Sequence, residues 1–225
     1  MTATGSAVRH TPWWIIGTSA LLLFAAGFAS AQQAGSQARL SFTKVLKGSS
    51  PEYMSLTVDS DGAATYDGRA MADPPSPRPL QISQSTTAHL FSLAESLGNF
   101  RGSQLESRHK VADLGKKTLT YEGRGETNRV EFNYTENHTA QQLVEEFEKI
   151  SNVEQHIAQL EYAIKYDPLG LPEQLRQIQI ELNQHALIEA DLLTPTLQKI
   201  TSNSHFLHLA QSRAQDILGR IHEQN

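Results

Sequence analysis

Two hydrophobic periods divide this chain, one of two residues and one close to three and a half. Leu40, Phe42 and Leu46 mark a first strand. Beyond Gly48-Ser49-Ser50-Pro51, Met54, Leu56 and Val58 alternate with Tyr53, Ser55, Thr57 and Asp59, and Ala64 and Tyr66 continue the alternation. That spacing belongs to strands with one buried face. Asp61-Gly62 predicts a type I′ hairpin turn, since both residues tolerate positive φ. Residues 71–79 hold four prolines in nine positions and predict an extended surface loop. A helix follows, with Ser83 as N-cap, an apolar face of Leu90, Phe91, Ala94 and Leu97, and Gly98 at the C-terminal left-handed position. Residues 101–117 are polar and irregular. Leu119 and Tyr121, the turn Gly123-Arg124-Gly125, then Val130, Phe132 and Tyr134 predict a second hairpin.

The period then changes. Between Thr139 and Tyr166, Leu143, Ile150, Ile157 and Ile164 recur every seven residues, with Val153 and Leu160 three further on. One long helix with a continuous apolar seam is predicted, and Glu145, Glu146, Glu148, Glu154 and Glu161 fall on its other faces. Asp167-Pro168-Leu169-Gly170 ends it. The seam is too short for a coiled coil, so it is expected to dock on the protein's own sheet and tail. Leu171, Leu175, Ile178 and Leu182 mark a further helix with Pro172 in its first turn. Thr194-Pro195 opens a short one, and Ser204 is expected to cap a last one carrying Leu207, Ala210, Ala214, Ile217 and Ile221. The predicted order is three strands, helix, two strands, helix. This is an α+β fold, an antiparallel sheet with helices on one face, followed by an all-α C-terminal tail. Residues 32–151 form the expected sheet domain, and 152–225 the helical region that continues from the long helix.

The N-terminus follows another logic. Residues 1–14 carry Arg9 and His10 and no acid, an apolar run spans Trp13 to Phe28, and Ala29-Ser30-Ala31 follows. These are the three parts of a secretory signal over residues 1–31, with a mature start at Gln32. The alternative is an uncleaved membrane anchor, and only then is the membrane a partner. There is no cysteine, which excludes disulfides, thiolate zinc sites, a cysteine nucleophile and a lipidated cysteine. Residues 32–138 carry 12 acidic and 12 basic side chains and balance, whereas residues 139–225 carry 12 and 6, a net −6. No cationic footprint for nucleic acid is present.

Gly48-x-x-Pro51-x-Tyr53, followed by Asp61-Gly62-x-x-x-Tyr66-x-Gly68, resembles a family of exported bacterial domains of unknown function. That family opens with a G-x-x-P-x-Y strand and a D-G-x-x-x-Y-x-G hairpin. Its flanking cysteines are replaced here by Lys47 and serines. The resemblance covers residues 40–151 and implies a fold and an exported location, and no catalytic residue.

Candidate chemistry is sparse. Asp59-Ser60-Asp61-Gly62 lacks the later ligands of a calcium loop, where Ala63, Ala64 and Ala70 stand, and reads as a turn. His205 and His208 lie three apart on the expected last helix, too few for a metal site, and His222 is too far along to join them. Glu122, Glu126 and Glu131 surround the second hairpin without any sign of burial. No catalytic, cofactor or metal residue is assigned. Arg101, Arg108, Lys110, Lys116, Lys117, Arg124 and Arg129 outnumber the four acids among them by three and form a possible protein-contact patch. The expected function is that of an exported, non-enzymatic module that binds a protein or the cell envelope. The alternative is an exported hydrolase-like enzyme whose site no motif reveals.

Overall fold

The computed structural model describes residues 37–224; the expected signal segment lies outside the described residues. In chain order the elements are β1 (Arg39–Val45), β2 (Tyr53–Asp59), β3 (Ala63–Arg69), β4 (Arg78–Gln81), α1 (Gln84–Ser96), β5 (Lys116–Gly123), β6 (Glu126–Phe132) and α2 (His138–Tyr166). Then come α3 (Leu171–Asn183), α4 (Thr194–Thr201) and α5 (His208–Gln224). The six strands form one antiparallel sheet in the order β4-β3-β2-β1-β5-β6. Register follows the two-residue period. Leu40 lies opposite Val58 and Tyr121, and Phe42 opposite Leu56 and Leu119, so the apolar side chains share one face. The other face carries hydroxyls, with Ser41 and Thr57 in contact at 3.1 Å.

The fold class stands as expected, but the first run of strands numbers four. Part of the proline-rich segment is a strand: Pro79 lies opposite Thr65 at the free edge of β3. An edge is where the ladder tolerates a residue with no N–H. The first hairpin turn also differs from expectation, while the second falls at Gly123-Arg124-Gly125 as expected. At Asp61-Gly62 only the glycine has positive φ (86°), and the amide of Gly62 donates to Asp59. That is a three-residue loop closed by a left-handed glycine. The two-residue turn with both φ positive occurs instead at Arg124 (51°) and Gly125 (78°). Tyr66 folds back over Gly68, where any Cβ would collide with its hydroxyl, and Tyr121 treats Gly123 the same way.

Helix boundaries follow their caps. The Ser83 side chain accepts from the Thr86 amide at 3.2 Å, and Gly98 takes φ 65° just past α1. Asn137 starts α2 by accepting from Ala140 at 3.0 Å. Ser204 caps nothing. Asn203 accepts from the His205 amide, and α5 begins only at His208, which leaves Leu207 exposed rather than on the buried face.

The apolar seam of α2 serves two cores in succession. Leu143, Phe147 and Ile150 belong to the sheet cluster with Leu40, Phe42, Leu56 and Leu119. Val153, Ile157 and Leu160 belong to the helical cluster with Leu175, Ile178, Leu197 and Ile217. Along the way the helix crosses the sheet. Glu148 meets Lys44 of β1 at 2.7 Å, and Glu161 meets Arg78 of β4 at 3.2 Å. A second junction is made by Glu189, whose carboxylate accepts from the Ser83 amide (3.0 Å) and hydroxyl (2.6 Å) at the start of α1. An anion there complements the partial positive charge of the helix N-terminus.

Glu154 does not lie on a solvent face. Its exposure is 4%, because the sheet edge covers it, and its nearest cation, Arg78, is 3.8 Å away. Burial, aided by Glu161 and opposed by Arg78, pushes its carboxyl above the ordinary range. A raised folded pKa means that the native state holds the proton more tightly than the unfolded chain. This group's contribution to stability therefore falls as pH rises from about 4.5, the unfolded value, through the folded one. Glu154→Gln should consequently match wild type below that window and exceed it at pH 7. Thermal midpoints taken across the range test this, and a constant deficit at every pH would reject it.

Candidate functional site

The most conspicuous surface feature lies at the far end of α2. Tyr162, Tyr166 and Leu169 are 62%, 61% and 76% exposed. The two tyrosines, one helical turn apart, have ring centroids separated by 5.0 Å, and the Lys165 ammonium stands 4.9 Å from the Tyr166 ring centre. Leu160 and Ala163, on the opposite face, are fully buried. This end of α2 thus has an apolar face committed to the core and a second, aromatic one turned outward. Leaving such rings in water forgoes the gain that burying them would bring, and clustered exposure of this kind marks contact surfaces. The signal was present in the sequence as two tyrosines one turn apart, on the face away from the seam, with Leu169 in the turn that follows the helix.

The seven basic residues occupy different environments. Arg101 is paired with Glu126, while Lys116 and Arg129 both meet Glu131, so two of the three carboxylates considered for acid–base work are spent on ion pairs. Those pairings hold the Glu131 carboxyl below its usual range. Glu122 is exposed on β5. Arg108, Lys110 and Arg124 are exposed. Lys117 points inward and is buried; its ammonium donates to the carbonyls of Leu114 (3.2 Å), Gly115 (3.3 Å) and Asn133 (2.8 Å). Burial and the nearby Lys44 push its pKa down. All three N–H donors are nevertheless occupied, which makes it a brace for the loop before β5 rather than a nucleophile.

A cleft of about 230 Å³ opens beside the Lys44–Glu148 pair, lined also by Ser50, Pro51, Met54, Asn152 and Gln155. It brings one cation, one anion and two amides together without a nucleophile–base pair. His205 precedes α5 instead of lying on it, and its ring meets Asn203 at 3.1 Å, so the expected helical spacing with His208 does not form. Among the described residues, no group of three or more His, Asp or Glu side chains is placed to share a metal ion, and no helix is long and apolar enough to cross a membrane. The chain matches no protein-family model and no characterised protein.

Proposed function

We propose that this protein is an exported binding module without catalytic chemistry of its own, and that the aromatic end of α2 is its contact surface. The observation that carries this reading is the outward stripe of Tyr162, Tyr166 and Leu169. Tyrosines bring large contact area at small entropic cost and are enriched among residues that dominate binding energy. The rigid base beneath them, a helix anchored in two cores, favours binding because little order has to be gained. A protein partner fits the stripe better than an anionic lipid surface, since residues 139–225 carry a net −6.

Placing a photo-crosslinking amino acid at Tyr162, in cells that produce the protein, tests the reading. A discrete adduct is expected at this position and not at Gln177, an exposed helical site on α3. Equal, diffuse labelling at both sites, or none at Tyr162, would remove the contact surface.

A further inference from the structure

Beside the stripe, two carboxylates share one guanidinium. Arg78 lies 3.8 Å from buried Glu154 and 3.2 Å from Glu161, so one guanidinium serves two carboxyl groups. One turn further along, Lys165 is exposed over Tyr166 and has no carboxylate partner among the described residues. The aromatic stripe is thus bordered on one edge by an acid, Glu161, which shares Arg78 with Glu154, and by a base, Lys165. No like charge borders the other edge, where Gln159 stands.

We propose that the occupant of this surface is a second copy of the chain, with α2 packed antiparallel on α2 about a two-fold axis. The proposal rests on reading the stripe as a contact surface. In an antiparallel helix pair the same edge of each helix meets its twin, and residues equidistant from the axis face one another. An axis passing near residues 163–164 sets Tyr162 beside the partner's Tyr166 and, on the flanking edge, Glu161 beside the partner's Lys165. Each contact is made twice. The apolar centre with charges at its rim follows the usual anatomy of an interface. The order acid, tyrosine, base, tyrosine is self-complementary under this operation, and a foreign partner would have to supply the same order independently. Because the stripe spans only two turns, the contact falls at the small end of specific interfaces, and micromolar affinity is expected.

Sedimentation velocity on the purified protein, from about 1 to 200 µM, should show conversion from monomer to dimer. Tyr162→Ser/Tyr166→Ser, whose exposed rings support no core, should keep its helix content and weaken the dimer at least about ten-fold, a loss of about 1.4 kcal/mol. Lys165→Glu and Glu161→Lys should each sediment as monomers alone, yet dimerise when mixed, because each then meets the opposite charge across the axis. Monomeric wild type throughout, an unaltered dimer in the tyrosine variant, or no dimer in the mixture would overturn the proposal. The crosslink at Tyr162 separates the two readings. An adduct heavier than a dimer or of unequal partners, with a monomeric protein, removes the second copy and leaves the contact surface. No adduct and no dimer removes both.

Discussion

Phe147→Ala is expected to lower the unfolding free energy by about 3–5 kcal/mol, the range for deleting a buried aromatic side chain. Phe147 is fully buried on α2, and its ring stacks on Phe42 of the central strand β1, with centroids 5.4 Å apart and planes inclined by 23°. The loss therefore combines transfer free energy, a large cavity and an aromatic contact that no neighbour can replace. Leu143 and Ile150 stand on the same face of the helix and are also fully buried, so little is free to collapse into the space. Denaturant midpoints for wild type and variant, with an unchanged slope, give the number directly. A loss below about 1 kcal/mol would mean that the site relaxes and that this ring is not the link between helix and sheet.

Ile157→Ala, ten residues along the same helix, is expected to cost about 2–5 kcal/mol, but in the other core. Ile157 sits in the helical cluster with Leu175, Ile178 and Ile217, while Phe147 sits in the sheet cluster. The sites share no cluster, so the double variant should lose close to the sum of the two. The informative measurement is native-state hydrogen exchange, because it reads each half separately. If α2 is a common wall, Ile157→Ala lowers protection in β1 and β2 by as much as in α3 and α5. Reduced protection confined to α3–α5 would show that the helical half opens by itself and that the clasp between Glu189 and Ser83 is too weak to couple them.

Periodicity carried most of the architecture, since burial on one side of a regular element leaves a regular trace. Leu40, Phe42, Leu56 and Val58 are buried as their alternation requires, and Leu143, Ile150 and Leu160 as theirs does. Features set by neighbours distant in sequence left no such trace. Pro79 enters a strand because β3 offers a free edge, and Glu154 is buried because that same edge covers one face of α2. Two of the basic residues part for a local reason. Lys116 and Lys117 are consecutive on β5, and consecutive strand residues face opposite sides, so one meets Glu131 while the other braces a loop from within. Ser204 failed as a cap because Asn203, one residue earlier, uses its own side chain to shape the turn. The aromatic stripe was open to view throughout, as a second face on a helix whose first face had already explained it.

The position of β1 has a consequence for the order of assembly. It pairs with β2, which follows it closely, and with β5, which is separated from it by residues 46–115. During synthesis the hairpin of β1 and β2 therefore emerges long before β5 can close over its other side. Until then Leu40 and Phe42 lie on an edge, with backbone N–H and C=O groups unpaired, in a chain that has not yet made the helix that buries them. Closing that gap is the step with the largest loop entropy in the sheet, and topologies dominated by such distant pairings fold slowly. Strands that pair before β5 is in place present an open edge, the form in which strands of different molecules find one another.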